Sequence, residues 1–200
     1  HLNAPLVLSG YSRLVIDCNR PLDSVESIPE QSAGLPIPGN HGLSCMARED
    51  RINVLFRPYH SAIARLLDGR AHRLNLLLSI HSFTPVLFDR PRPWHVGISH
   101  GRNRQLAALM LGALATTGNH IIGDNEPYPV GHDFDYTIPV HGDGRELPNV
   151  MIEIRQDGIR SMEEAAVWAE RLAEAYRLIE TDVLRYFGVP STAGLNNFSI

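Results

Sequence analysis

The chain contains no lysine, so all 18 of its basic residues are arginine. This absence excludes any mechanism that requires a catalytic lysine, such as Schiff-base formation. Cysteine is also scarce: only Cys18 and Cys45 occur among the 200 residues, and their spacing forms no C-x-x-C pair. This cysteine content excludes a disulfide scaffold and favours two free thiols in a reducing cytoplasm.

Long apolar runs are missing as well. No run approaches the ~20 residues that a helix needs to cross a bilayer, so we expect no membrane partner. The net charge of -4 argues against a general nucleic-acid binder. Hydrophobic residues make up 44% of the chain and charged residues 20%, which is typical of a globular protein with one domain and a sizeable core.

Short β-rich runs alternate with helical patterns, and this alternation predicts an α/β domain. The run 74–80 is almost continuously apolar, which is typical of a central strand covered on both faces. Residues 123–148 are rich in Pro, Gly, Asp, Glu and His and are predicted to form a long loop that overhangs one end of the sheet. Strands are predicted at residues 5–8, 14–17, 74–80, 120–122 and 150–154.

Three helices are expected from apolar residues at helical spacing. The first covers about residues 44–68 and should kink or split at Pro58, because a proline inside a helix removes a backbone hydrogen bond. The second covers about residues 102–117. The third begins at a capping box formed by Ser161 and Glu164 and ends at Gly188.

The pair Asn19-Arg20 follows a predicted strand, at the edge of the sheet where ligands bind in open α/β folds. The guanidinium of Arg20 offers a planar fork for a carboxylate, and Asn19 adds a neutral donor. Taken alone, the pair is more simply interpreted as a surface arginine after an edge strand.

Two further residues, at or near the ends of predicted strands, are candidates for metal binding and proton transfer. His81 follows the run 74–80, and imidazole is the commonest metal ligand in proteins, although a histidine at a strand end often only bonds to a loop. Glu153 lies in an apolar strand, where burial raises a carboxyl pKa toward the range that suits proton transfer. The alternative for Glu153 is a structural ion pair with Arg13 or Arg20.

Taken together and in this order, Asn-Arg, His-Ser and Glu-x-Arg resemble the zinc carboxypeptidase-like hydrolases. The chain is more narrowly similar to the N-formylglutamate amidohydrolase family in the runs DCNRP (17–21), HSFTP (81–85), GDNEPY (123–128) and LPNVMIEIRQD (147–157). The resemblance implies a three-layer α/β/α sandwich with a mixed, mostly parallel sheet, as in zinc carboxypeptidases and phosphorylase/hydrolase-like proteins.

The resemblance also implies a reaction: hydrolysis of N-formyl-L-glutamate to formate and L-glutamate, as in histidine breakdown, with zinc or another divalent metal as cofactor. It implies that His81 is a metal ligand and that Glu153 is the general base. Asn19 and Arg20 would bind a carboxylate of the substrate, which is a small N-acyl amino acid.

Two residues of the long loop are weaker candidates for substrate binding. His141 could bond to the substrate or stabilise the developing oxyanion. Asn125 could line the pocket or only fix the loop.

The chain departs from the wider group at its N-terminus. That group builds its zinc site from three side chains, of which a His and an acidic residue precede the Asn-Arg pair, whereas His1 is the sole candidate here. We therefore expect residues 1–200 to form a single amidohydrolase domain that is truncated at its N-terminus. The alternatives are another N-acyl amino-acid amidohydrolase, a carboxypeptidase, or a non-catalytic module that binds carboxylates through Arg20.

Overall fold

The computed structural model of the chain describes residues 2–70, 74–102 and 104–188. Within these ranges the helices are α1 (Cys45–Arg51), α2 (Arg57–Asp68), α3 (Gln105–Leu114) and α4 (Met162–Phe187). The strands are β1 (Gln31–Ser32), β2 (Leu35–Pro36), β3 (Leu77–Phe83), β4 (Val86–Leu87), β5 (Arg90–Pro91), β6 (Val96–Ser99), β7 (Ile122–Asp124) and β8 (Asn149–Arg155). Short 3₁₀ turns cover Val25–Ser27, Pro38–Asn40, Asp143–Arg145 and Gln156–Gly158, and π-helical turns cover Ile52–Phe56 and Ile138–Gly142. None of the helices in the described ranges has the length and apolar character needed to cross a membrane.

A mixed sheet with the strand order β3-β8-β6-β7 forms the centre of the fold. Strand β3 runs parallel to β8, β8 antiparallel to β6, and β6 parallel to β7. The other strands form two antiparallel hairpins, β1–β2 and β4–β5. The predicted α/β class with a mixed, mostly parallel sheet is confirmed.

The two inner strands of this sheet are β8 and β6, and β3 is not one of them. Six of the seven residues of β8 are buried, whereas β3 lies at one edge of the described sheet and leaves Ile80 52% exposed. The prediction of a central strand at residues 74–80 was wrong, because an apolar run does not reveal which neighbours will cover it. The central strand β6 was not predicted, since its four residues are too few to show a clear pattern.

Two predicted strands do not form within the described residues. Residues 5–8 lie at the surface and pair with no described strand. Residues 14–17 are anchored by side chains: Asn40 Nδ2 donates to the carbonyl of Leu14 at 2.8 Å, and Arg51 Nη1 donates to the next carbonyl at 2.7 Å. Because side chains satisfy these carbonyls, the segment is held in place without a strand partner.

The helices agree more closely with the sequence. The first predicted helix is continuous but contains a π-helical turn between α1 and α2, and Pro58, which was expected to kink or split it, lies two residues after this turn. The second predicted helix, at about residues 102–117, corresponds to α3 and is shorter than expected. The third is α4, and both bonds of the capping box between Ser161 and Glu164 are present.

The two faces of β8 pack against different layers. Every second residue of β8 joins α3 and α4 in a large apolar cluster. Met151 and Glu153 point to the opposite face, which we call the second face of the sheet, and there Met151 packs against Ile138. Residues 123–148, predicted as a loop beyond the end of the sheet, instead lie against this second face and contain the last two residues of β7 and two helical turns.

A smaller apolar cluster holds the N-terminal part of the chain beside this segment. Ile16 and Ile28 pack against Ile52 and Phe56, and Tyr136 joins them. One side of the sheet is therefore covered by α3 and α4 and the other by the long segment. Phe56 and His60 pack in turn against Tyr136 of that segment. This arrangement agrees with the predicted three-layer sandwich.

Candidate functional site

A row of paired residues crosses the second face of the sheet. The register pairs His81 of β3 with Glu153 of β8. Glu153 pairs in turn with Gly97 of β6, and Gly97 pairs with Gly123 of β7. Because neighbouring strands lie ~5 Å apart, His81 and Glu153 are direct neighbours. We call these four residues the cross-strand row.

Glu153 is 5% exposed. The arginines that were suggested as its ion-pair partners, Arg13 and Arg20, pair instead with Asp17 and Asp135. Its Oε2 is buried without a hydrogen-bond partner among the described residues. Burial raises the pKa of Glu153 to about 7, while the charge of Arg13 opposes this shift and the charge of Asp135 adds to it. A carboxyl with this pKa can both accept and donate a proton near neutral pH.

His81 lies beside this carboxyl, with its Nε2 3.0 Å from the Oγ of Ser79. Burial, with the positive charge of Arg13 next in size, lowers the pKa of His81 to about 4. The ring is therefore neutral at neutral pH, which is the form that binds metal ions.

A complete metal centre does not form around His81. A catalytic zinc site uses three protein ligands. Within residues 2–70, 74–102 and 104–188, no group of three His, Cys, Asp or Glu side chains is arranged to hold a metal ion. The described residues therefore do not fit a zinc site, and His81 stays a prediction as a single ligand.

Asn19 is buried and joins residues 17–20 to the segment around Asp135. Its Nδ2 donates to Oδ1 of Asp135 at 2.8 Å. Its Oδ1 accepts bonds from the backbone N–H groups of Thr137 at 2.9 Å and Tyr136 at 3.2 Å. The amide is thus largely occupied in fixing the loop, and direct contact between Asn19 and a substrate stays a prediction.

Arg20 is held by the same aspartate. Its Nη1 donates to Oδ1 of Asp135 at 3.2 Å and to the carbonyl of Asn19 at 3.1 Å. Both bonds use one nitrogen, and the other edge of the guanidinium, with Nε and Nη2, has no bond in the described part of the chain. That edge has the geometry for two parallel bonds to a carboxylate, and the side chain is 22% exposed. The positive charge of Arg20 lowers the pKa values of both His81 and Glu153, which places it near both.

The turn after β7 passes close above the cross-strand row. A Cβ atom on Gly97 would lie 1.9 Å from the carbonyl oxygen of Glu126, and one on Gly123 would lie 2.6 Å from it, so only glycine permits this approach. Asn125 adopts a left-handed φ of 57° and accepts a bond from the N–H of His100 at 2.8 Å. These features support the alternative in which Asn125 fixes the loop, and its contact with a substrate stays a prediction.

His141 is buried and its ring stacks on that of His60, 5.2 Å away between ring centres. His60 Nε2 lies 2.8 Å from the carbonyl oxygen of Cys18, which can only accept, so this nitrogen carries a proton. Burial lowers the pKa of His60 to about 4, so the ring is neutral and its Nδ1 accepts a bond from Nε2 of His141 at 3.0 Å.

The bond to His60 also determines which ring nitrogen of His141 carries the proton. Burial also lowers the pKa of His141, so its ring is neutral with the proton on Nε2. Its Nδ1 is an acceptor that is buried without a partner among the described residues. This tautomer suits acceptance of a hydrogen bond from a substrate and does not suit donation to an oxyanion.

Asp135, Arg92 and His60 were not predicted as residues of the site. Asp135 positions Asn19, its bonding partner, from 116 positions away along the chain. Arg92 carries a positive charge that lowers the pKa of Glu153. No local pattern marks any of these residues, because their roles depend on contacts with distant segments.

Two sequence comparisons give independent information about the chain. The model of the N-formylglutamate amidohydrolase family matches residues 1–160. The chain is also similar to N-formylglutamate deformylase from Pseudomonas putida, with 28% identity over 206 residues, covering 92% of this chain and 74% of that protein.

Solved structures agree with this result. A gene product from Agrobacterium tumefaciens is similar with a TM-score of 0.76 and 35% identity, over 85% of this chain and 69% of that one. The N-formylglutamate amidohydrolase from Ralstonia eutropha shares the fold, with a TM-score of 0.58 and 19% identity over 84% of this chain and 73% of that one. Because the family match extends over most of the sequence, the chain belongs to the N-formylglutamate amidohydrolase family.

Proposed function

We propose that the protein hydrolyses N-formyl-L-glutamate to formate and L-glutamate. The observation that carries this proposal is the buried carboxyl of Glu153, unpartnered at Oε2 among the described residues, which lies beside His81 on the neighbouring strand. The positive charge of Arg20 acts on the pKa of both groups. Membership of an amidohydrolase family supports hydrolysis of an amide, and the name of the Pseudomonas putida relative supports the formylated substrate.

Arg20 would hold the substrate by a carboxylate. Its free edge can form two parallel bonds, and Asp135 keeps the guanidinium in place from the opposite side. A carboxylate fixed at this position would bring the scissile amide over the cross-strand row. Such positioning replaces a chance encounter with a fixed geometry, which lowers the entropic part of the barrier.

Glu153 would move the proton. In the first step its carboxylate takes a proton from water while the water oxygen attacks the formyl carbon. In the second step the carboxyl returns this proton to the amide nitrogen as the C–N bond breaks, which releases formate and the amine of glutamate. One group can serve both steps because its pKa lies near neutrality.

Formate release from N-formyl-L-glutamate tests this proposal. Glu153→Gln keeps the shape of the side chain but cannot accept the proton, so we expect kcat to fall ~10²–10⁴-fold. The matched control is Glu174→Gln, because Glu174 is exposed on α4 and lies away from the site. Normal activity of Glu153→Gln would give Glu153 a structural role, and no formate release by the unmodified protein would refute the proposed reaction.

A second candidate function is a module that binds carboxylated amino acids without hydrolysing them. The observation that favours it is the lack of three metal-ligating side chains arranged together in the described ranges. Calorimetric binding of N-formyl-L-glutamate without formate release would support this candidate. Faster release of acetate from N-acetyl-L-glutamate would instead indicate an amidohydrolase with a different acyl preference.

A further inference from the structure

The hairpin β4–β5 brings Arg92 to the candidate site. After β3 ends at Phe83, the chain forms this hairpin and returns, and the N–H of Arg92 donates to the carbonyl of Pro85 at 2.8 Å. The carbonyl of Arg92 accepts a bond from Nη1 of Arg155 at 3.1 Å. The backbone of Arg92 is therefore tied both to the segment that follows β3 and to the end of β8.

Two aromatic rings fix the side chain of Arg92. Its guanidinium carbon lies 4.8 Å from the ring centre of Tyr128 and 5.9 Å from that of Phe83. Its Nη1 donates to the hydroxyl of Tyr128 at 2.7 Å. Cation–π contacts of this kind hold a guanidinium in place without neutralising its charge.

Both rings lie on the same side of the sheet as the candidate site. Phe83 belongs to the second face, and the carbonyl of Tyr128 accepts a bond from Oγ of Ser99 at 2.6 Å, which also lies on that face. Arg92 thus faces the same space as Glu153. In agreement, the positive charge of Arg92 lowers the pKa of Glu153, against the effect of burial.

The three arginines near Glu153 differ in their partners. Arg13 pairs with Asp17, and Arg20 pairs with Asp135. Arg92 forms no ion pair with a carboxylate in the part of the chain that the structure describes. The site therefore has an uncompensated positive charge on the side of Arg92, besides the free edge of Arg20.

We propose that Arg92 binds one of the two carboxylates of the substrate while Arg20 binds the other, so that the site selects N-acyl amino acids with two carboxylates. This inference rests on the proposed function, which supplies a substrate with two carboxylates. The side chain of Arg92 has Nη2 and Nε available for this contact, since its bond to Tyr128 uses Nη1.

Calorimetric binding to the full chain tests this inference, using Glu153→Gln to prevent turnover. The ligands are N-formyl-L-glutamate and two neutralised forms of it, N-formyl-L-glutamine and N-formyl-L-isoglutamine, each of which lacks a different carboxylate. The variants Arg92→Met and Arg20→Met are compared with Arg90→Met. Arg90 is an exposed arginine of the same hairpin and serves as the matched control.

We expect Arg92→Met to weaken binding of N-formyl-L-glutamate by roughly tenfold to a hundredfold, as for the loss of a charge-assisted bond. Its effect should disappear with one neutralised ligand and persist with the other, and Arg20→Met should show the opposite pattern. Arg90→Met should bind all three ligands normally.

Three outcomes would each overturn the inference. These are the same pattern for Arg92→Met and Arg20→Met, an equal loss for all three ligands, and no binding of any ligand by the Glu153→Gln protein. If the two arginine variants show opposite patterns but the unmodified protein releases no formate, the proposed reaction is refuted. The inference that the two arginines bind the two carboxylates then still holds. Circular dichroism melting of Arg92→Met separates lost binding from lost folding, because an unfolded variant loses all ligands alike.

Discussion

Acidification should destabilise the fold through His60, and the structure gives the size of the effect. The ring of His60 is buried and donates from Nε2 to the carbonyl of Cys18, while its Nδ1 accepts a bond from His141. Burial lowers its pKa from 6.5 to about 4. The unfolded chain therefore takes up a proton at His60 at a higher pH than the native protein, so the contribution of His60 to stability falls as the pH decreases from about 6.5 to about 4. The raised pKa of Glu153 acts in the opposite direction, so the His60 contribution is measured as a difference between variants.

The magnitude follows from the pH interval. Each pH unit between the unfolded and native pKa values of His60 costs ~1.4 kcal/mol, so the loss reaches about 2 kcal/mol at pH 5 relative to pH 8. The pKa of His141 is also lowered by burial, and it adds to the loss in the same direction.

Urea denaturation at pH 8, 7, 6 and 5 measures this effect, with His60→Gln as the test variant. Glutamine keeps a donor for the carbonyl of Cys18 but does not titrate. It removes the ring contacts with Phe56 and Tyr136, so we expect lower stability at every pH. The free energy of unfolding should nevertheless fall by about 2 kcal/mol less between pH 8 and pH 5 than in the unmodified protein.

The control is His41→Gln, because the side chain of His41 is 84% exposed and stays in water in both states. This variant should keep the pH dependence of the unmodified protein. If His60→Gln keeps it too, His60 is not buried as a neutral ring, and the tautomers assigned to His60 and His141 lose their basis.

Three further variants test other parts of the site. Arg20→Lys should reduce kcat/KM for N-formyl-L-glutamate by roughly tenfold to a hundredfold, because an ammonium cannot form two parallel bonds, and should change it much less for N-formyl compounds without a carboxylate. Equal losses for both substrate types would instead assign Arg20 to the fold. Gly97→Ala should lower the free energy of unfolding by about 1–3 kcal/mol in urea denaturation, because its Cβ would overlap the carbonyl of Glu126. Gly112→Ala, with open space around the new Cβ, should show no such loss. His81→Ala tests the predicted single metal ligand by the zinc content of the purified protein, measured by mass spectrometry. A lower content than in the unmodified protein is the outcome that this prediction requires, and an unchanged content, which the lack of a complete site among the described residues favours, would contradict it.

The features that the sequence predicted correctly depend on local patterns. The capping box of Ser161 and Glu164 involves residues three positions apart, so their spacing alone indicates the start of α4. The burial of Glu153 follows from its apolar neighbours in β8. Such signals survive in a single sequence because the residues that interact are also neighbours in the chain.

The features that were missed or wrong depend on distant contacts. Residues 14–17 look like a strand, but side chains of Asn40 and Arg51 take the carbonyls that a strand partner would use. Likewise, Asp135 gains its importance only from its bonds to Asn19 and Arg20. Local sequence patterns relate residues only a few positions apart. They therefore contain no information about these contacts, whose partners are far apart in the chain.

The residues proposed to act in the reaction and those proposed to select the substrate lie on different kinds of structural element. Glu153 and His81 lie on paired strands, whose backbone bonds fix their separation whatever the substrate. Arg20 follows no strand, and Arg92 follows a short hairpin, so side-chain bonds to Asp135 and Tyr128 hold their guanidinium groups in place. Changes in the loops that carry the arginines should therefore alter which carboxylates are accepted, while changes in β8 should alter the rate for every substrate alike.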